Sequence, residues 1–190
     1  FLDASVKTLT PEVTSVKVPS PLFLYNVLGN EVKESFYGQK LGKAIKGYNA
    51  VAVGRQAPPI TDQVDLEGNE VGLENYRGKY VLVDFWASWC GPCRAEHKNL
   101  ERLSDMGYTL IGVNYKDEPR QALSFLKELG DPYKKVGSDR SGRTGIDWGI
   151  YGIPETFLVD AKGTIIMRHA GPLTDSVVER KVLPYLKESR

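Results

Sequence analysis

Cysteine and histidine are almost missing from this chain. Its 190 residues hold two of each, and both cysteines fall in one run, Trp89-Cys90-Gly91-Pro92-Cys93. Two thiols cannot complete a thiolate zinc site, and His97 and His169 do not stand in a Cys2His2 spacing, so no metal centre is expected. Net charge is missing too. The 25 basic and 24 acidic residues leave +1, which gives no electrostatic footing for nucleic acid or for a polybasic membrane protein. No apolar run approaches the roughly 18 residues of a transmembrane helix, and no internal repeat is evident. Residue 94 is Arg, so the pair is not a Cys-x-x-Cys-His haem-attachment motif. No cofactor is expected beyond the cysteine pair itself. Apolar residues make up 41% of the chain, enough for a real core in one domain plus an appendage.

What the two cysteines can do follows from their spacing. In Cys-x-x-Cys one thiolate attacks a substrate disulfide, and the second thiol resolves the mixed disulfide. The alternative is a structural staple, but its loop is too short to restrict the unfolded chain much. Redox exchange is the favoured reading. Upstream, Lys79-Tyr80-Val81-Leu82-Val83-Asp84-Phe85-Trp86 is apolar, β-branched and aromatic; it breaks at Ala87-Ser88 and reads as a buried central strand. Downstream, Pro92 to Leu103 favours helix, with the proline in the first turn, where it is tolerated. Cys90 therefore lies at a strand-to-helix junction. Free N–H groups and the positive end of the helix dipole there lower a thiol pKa from about 8.5 towards roughly 3.5–7.5. Cys90 is the expected nucleophile. Cys93, one turn inside the helix, is expected to be less exposed and to keep its proton as the resolving thiol.

Along the chain, residues 1–22 are rich in Val, Thr, Ser and Pro without helical period and read as an extended linker. Glu31 to Tyr48 is polar, with Gly38, Gly42 and Gly47 each costing about 1 kcal/mol in a helix. Lys33, Lys40, Lys43 and Lys46 could face anionic lipid, but a solvated appendage is the favoured reading. A division into 1–52 and 53–190 follows. In the second part, two short β segments about Glu67-Gly68-Asn69 form an expected N-terminal β-hairpin. Strands are expected at Tyr108–Tyr115, near 133–137, and at Glu155–Asp160 and Thr164–His169 around the hairpin Ala161-Lys162-Gly163. Helices are expected at Glu118–Leu129, closed by Gly130, as a brief turn near 142–149, and at Asp175–Lys187, bent at Pro184. This alternation indicates a layered α/β domain.

Several stretches resemble a known family. Val81 to Cys93 resembles the active-site strand and helix start of thioredoxin, including its Gly91-Pro92 dipeptide, and Tyr151-Gly152-Ile153-Pro154-Glu155-Thr156-Phe157 resembles the loop and strand that carry its cis-proline. Cys93-Arg94-Ala95-Glu96-His97, Gly112-Val113-Asn114-Tyr115-Lys116-Asp117 and Arg168-His169-Ala170-Gly171-Pro172-Leu173-Thr174 narrow the match. With them the chain is similar, over about residues 53–190, to the membrane-anchored periplasmic thioredoxins of cytochrome c maturation. These are the CcmG or DsbE type, TlpA/ResA-like members of the thioredoxin superfamily. The resemblance implies a thioredoxin fold: a central mixed β-sheet flanked by helices, with the N-terminal hairpin and appendage added.

It also implies roles. Pro154 should be cis and lie beside the cysteine pair, leaving the backbone of Ile153 to pair with an extended substrate. Glu155 is placed at the rim, where its charge could select partners, although a plain strand-start glutamate is equally consistent. Asp84 matches thioredoxin's buried aspartate and Glu96 an acid typical of the maturation family. Either could exchange the proton of Cys93, with a slight preference for Glu96, and two such carboxyls would titrate together. Trp89, and Trp86 if it is not core, should shape an apolar docking surface with Gly91 and Pro92. Tyr115, Lys116 and Asp117 match a family signature without a visible role, and His97 and His169 read as structural.

The implied activity is that of a protein thiol-disulfide oxidoreductase acting as a reductant. Its implied partners are apocytochrome c or a maturation factor, and a transmembrane thiol reductase as electron donor. The chain begins at Phe1, and the resemblance implies a periplasmic protein whose N-terminal membrane anchor precedes it. Gly91-Pro92 and Asp84 also suit a general reductant of exported proteins, and a binding module in which exchange is incidental is a third reading. A peroxidase is disfavoured, since no threonine stands two residues before a lone cysteine.

Overall fold

The computed structural model describes residues 21–60 and 71–187. Residues 1–20 of the linker expected over 1–22 and the turn of the expected N-terminal β-hairpin lie outside the described residues, whereas Pro21 and Leu22 open a helix rather than ending a linker. The chain divides between Ile45 and Lys46 into two compact units.

In the first unit the polar, glycine-dotted stretch is helical. Helix α1 spans Pro21–Asn26, α2 spans Asn30–Glu34, and α3, Phe36–Ala50, runs across the division. The glycines that weaken a helix in isolation are here a packing device. Gly38 and Gly42 are buried one turn apart on α3, and a Cβ on Gly42 would come within 2.5 Å of the Tyr25 hydroxyl. Close approach of α1 to α3 offsets the propensity cost, which the sequence alone shows only as a penalty.

The second unit is built on a five-stranded sheet in the order β3-β2-β1-β4-β5. Its strands are β1 Val81–Trp86, β2 Thr109–Tyr115, β3 Lys135–Asp139, β4 Glu155–Val159 and β5 Ile165–Ala170. β1, β2 and β3 pair in parallel; β4 runs antiparallel to β1, and β5 antiparallel to β4. The mixed sheet is therefore the expected thioredoxin-type arrangement. A short 3-10 turn, Leu73–Tyr76, precedes β1. Helix α4 (Gly91–Asp105) follows β1, α5 (Pro119–Leu129) follows β2, and α6 (Arg143–Asp147) follows β3.

β1 is buried at all six positions, as a central strand covered on both faces must be. Alternation sends Leu82 and Trp86 to one core, with Leu100 and Leu103 of α4 and Phe125 of α5, and Val81, Val83 and Phe85 to the other, with Trp148 and Phe157. Asp84 shares the face of Leu82 and Trp86. That is the face which also receives both cysteines.

The closing helix departs from a simple bend at Pro184. It runs as α7 (Asp175–Val177), a π segment (Val178–Val182) and α8 (Leu183–Lys187). Proline has no N–H for the i−4 carbonyl and its ring crowds that carbonyl, so the ladder widens ahead of it.

Candidate active site

Cys90 is the N-cap of α4, in extended backbone (φ −87°, ψ 105°), and its Sγ accepts the N–H of Cys93 at 3.1 Å. The two sulfurs are bonded at 2.08 Å, so this is the oxidised pair. Gly91 and Pro92 form the first turn and are exposed. Both cysteines are buried, Cys90 at 4% and Cys93 at 2% exposure. The expected contrast in exposure is small, because Trp86, Ala87 and Ile153 belong to or pack on the same apolar cluster as the pair. What separates the two sulfurs is position. Cys90 receives the orphan N–H groups and dipole of the helix start, and Cys93 lies inside the helix.

The turn ahead of Cys90 is clamped from β2's exit. The Asp117 carboxylate, itself buried, accepts the Ser88 N–H at 2.6 Å, the Ser88 hydroxyl at 2.8 Å, Asn114 Nδ2 at 2.9 Å and the Glu118 N–H at 2.8 Å. Trp89 Nε1 donates to the Lys116 carbonyl at 3.2 Å, and Lys116 holds a left-handed φ of 48°. This is the role the sequence left blank for Lys116 and Asp117: they fix the chain that delivers Cys90. Trp89 stands out at 58% exposure, whereas Trp86 is core at 1%, stacked on Tyr133 (5.7 Å, 14°) and tilted over Phe125. Trp86 therefore does not form a docking surface; Trp89 borders an open groove of about 660 Å3 lined also by Lys116, Glu118, Gln121 and Arg140.

Two carboxyls lie buried behind the pair. Asp84 Oδ2 accepts the Tyr133 hydroxyl at 2.8 Å and its Oδ1 the Thr156 hydroxyl at 3.1 Å. Glu96, one turn past Cys93 on the same helix, accepts the Leu173 N–H on Oε2 at 2.7 Å, while its buried Oε1 makes no hydrogen bond among the described residues. Burial raises both. Asp84 goes up to about 6, held down by its two hydroxyl donors. Glu96 is pushed up to about 9 by burial first and then by the charge of Asp84. Burial thus favours the protonated form of both carboxyls, and of Glu96 more than of Asp84.

Ile153–Pro154 is a cis peptide bond, and both residues precede β4, which starts at Glu155. Glu155 is not a rim charge. It is buried and ion-paired with Arg168, Nε to Oε1, at 2.5 Å, and burial pushes its carboxyl up while Arg168 pulls it down. A strand-start residue whose charge is consumed inside the fold cannot select partners by that charge. His97 and His169 meet the carbonyls of Gly130 (2.9 Å) and Pro172 (3.3 Å), the structural placement expected of them. Among the described residues no cluster of metal-ligating side chains occurs, and no helix is long and apolar enough to cross a membrane.

The stretch that carries the redox pair at a helix start, with Ile153 of the cis-proline bond packed on the same cluster, is matched by a family model. Residues 52–183 fit the Redoxin model. The chain belongs to the Redoxin family. Its relatives include the thiol:disulfide interchange protein HelX of Rhodobacter capsulatus, 46% identical over 134 residues, covering 70% of this chain and 76% of that protein. DsbE of Pasteurella multocida is 38% identical over 169 residues, covering 88% and 93%. Among solved structures, the thioredoxin domain of a thiol-disulfide oxidoreductase from Bacteroides vulgatus superposes with a TM-score of 0.61 at 30% identity, covering 70% of this chain and 97% of that one. The chain is thus a redoxin with thioredoxin-like architecture, related to thiol:disulfide interchange proteins.

The redoxin site gathers Asp84, Cys90, Cys93, Glu96 and Ile153 about one apolar cluster, and takes Glu155 elsewhere. Sequence reasoning missed Tyr133, Thr156 and Asp117, which act through hydrogen bonds spanning 49, 72 and 29 residues. Only Asp117 carried a signal, as the acid that ends the family-like run Tyr115-Lys116-Asp117.

Proposed function

We propose that the chain is an extracytoplasmic reductase of protein disulfides, with residues 53–190 as the exchange domain and residues 1–52 as its linker and appendage. The observation that carries the reading is the Cys90–Cys93 disulfide at the start of α4, with two buried carboxyls, Asp84 of β1 and Glu96 of α4, in the elements that flank it. The Cys90 thiolate attacks one sulfur of the substrate disulfide; that S–S bond breaks, a Cys90–substrate disulfide forms, and the departing thiolate takes a proton. Cys93 then gives its proton to the Asp84–Glu96 pair and attacks the Cys90 sulfur. The second substrate thiolate leaves, and two electrons have passed to the substrate. Of the two, Asp84 is raised less, to about 6, and is the carboxylate able to take the Cys93 proton, while Glu96, whose buried Oε1 makes no hydrogen bond among the described residues, can pass a proton on.

The substrate's extended chain runs past Ile153, which precedes β4, and cis-Pro154, whose own carbonyl is taken by the Gly171 N–H at 2.9 Å, with Trp89, Gly91 and Pro92 offering the exposed contact face. By the family resemblance, the substrate is the Cys-x-x-Cys-His segment of apocytochrome c or a maturation factor. Electrons come from a transmembrane thiol reductase, and the protein works in the periplasm behind an N-terminal anchor. The cysteine pair is the only redox group the chemistry requires. Gly91-Pro92 with Asp84 favours a second reading, a general thioredoxin-like reductant of exported proteins.

Cys93→Ser tests both. It leaves the mixed disulfide unresolved and is expected to accumulate an exported Cys-x-x-Cys-His protein covalently on Cys90, a link absent from Cys90→Ser. A broad set of exported proteins on the trap supports the general reductant. An empty trap, with cellular function intact in Cys90→Ser, contradicts exchange and leaves a binding module.

A further inference from the structure

Arg168 joins three segments that are far apart in sequence. Its Nε donates to Glu155 at 2.5 Å, its Nη2 to the Gly149 carbonyl at 2.8 Å and its Nη1 to the Tyr48 carbonyl at 3.1 Å. The guanidinium also lies 4.0 Å from the centroid of the Tyr48 ring and 5.1 Å from that of Phe157. The side chains of Arg168 and Glu155 are 7% and 4% exposed. A buried ion pair is a weak way to gain stability, whereas a planar five-donor fork is well suited to holding separate chain segments in one geometry.

Two of those segments are the ends of one loop. Gly149 starts the run that leads through Tyr151 and Ile153 to cis-Pro154, and Glu155 follows it directly. The third segment is the end of α3, whose residues 46–50 belong to the second unit. A separate observation places the same two backbones together. Gly149 has φ 58°, and a Cβ there would stand 2.9 Å from the Gly47 carbonyl oxygen and 3.0 Å from its carbon, so backbone meets backbone with no room for a side chain. Val51, just beyond the helix, is fully buried in one cluster with Trp148 and Ile150. The end of α3 is thus part of the wall behind the loop.

We propose that Arg168 is a positioning residue for the loop that receives the substrate's backbone, and that residues 47–51 are the abutment against which it holds that loop. Glu155 has the same duty from the loop's far end, in place of charge selection. The proposal rests on the exchange function proposed above. It gives the last turn of the N-terminal segment a part in substrate binding without touching the reacting sulfurs.

The test uses the full chain with Arg168→Lys, Arg168→Met and Tyr48→Ala, assayed on an oxidised Cys-x-x-Cys-His peptide and on a small aromatic disulfide that needs no backbone docking. Arg168→Lys is expected to raise the peptide KM about tenfold with kcat within about twofold. The ratio of peptide to small-disulfide reactivity should fall by the same factor, and amides 149–153 should exchange hydrogen faster. Tyr48→Ala should move the same quantities in the same direction. If Arg168→Met fails to fold, the other two variants decide the matter. Folded variants with wild-type peptide KM, or an equal loss on both disulfides, overturn the proposal. A wild-type protein unable to reduce the peptide overturns the exchange function and this inference with it, an outcome distinct from variants that match an active wild type.

Discussion

Tyr133 donates its hydroxyl to Asp84 at 2.8 Å, and this bond helps decide which carboxyl of the buried pair is charged. A second donor, Thr156, fills the other Asp84 oxygen, so Asp84 is furnished as an anion, while Glu96 has one donor and an oxygen without a hydrogen bond among the described residues. Tyr133→Phe removes the stronger prop. Asp84 should then titrate higher, and the inflection it sets in the pH–rate profile of peptide reduction should move upward from near 6. The lost buried hydrogen bond should cost about 1–2 kcal/mol by denaturant melting.

Glu96 makes folding depend on pH. Its carboxyl rises from 4.5 unfolded to about 9 folded, so across that window the folded chain holds a proton that the unfolded chain has lost. Stability is intact below the unfolded value and falls as pH rises through the folded one. Asp84, raised from 3.8 to about 6, adds the same sign over its own window. Glu96→Gln should flatten the fall in Tm between pH 5 and pH 9. It should also slow resolution of the Cys90 mixed disulfide on the order of 100-fold, read by quenching a single turnover.

The two tryptophans flanking the strand break should part in their effects. Trp86→Ala empties a core site packed by Tyr133 and Phe125 and should cost about 3–5 kcal/mol. Trp89→Ala, at an exposed site, should leave Tm within about 2 °C and raise the KM for a peptide disulfide, since the groove loses its aromatic edge.

Asp117→Ala strips four donors of their acceptor. The expected cost is about 2–3 kcal/mol. Slackening of the Ser88–Trp89 turn should show as faster hydrogen exchange at Trp89 and Cys90, whereas Asp117→Asn, which keeps one oxygen acceptor, should recover part of both.

Much of this was legible from local chemistry. The all-buried β1, the helix start at Cys90 and Pro92, and the hairpin at Ala161-Lys162-Gly163 declare themselves because neighbouring residues specify them. Asp84 and Glu96 were picked out by the family resemblance rather than by local chemistry. Hidden were the interactions that depend on the sheet's order. Tyr133, Thr156 and Asp117 reach their partners only after β1, β2 and β4 assemble, and Arg168 reads as an ordinary strand residue until Glu155, Gly149 and Tyr48 converge on it. Gly38 and Gly42 misled for a related reason: helix propensity counts backbone entropy and cannot see the Val32 backbone at Gly38 or the Tyr25 side chain at Gly42 that needs the space.

The midpoint potential of the Cys90–Cys93 couple, measured by equilibration with defined thiol buffers, tests the reductant function most directly. A value near thioredoxin's roughly −270 mV, or moderately above it, is the predicted result. A value near about −120 mV would mean that the pair donates disulfides, and would contradict a reductase acting on exported proteins.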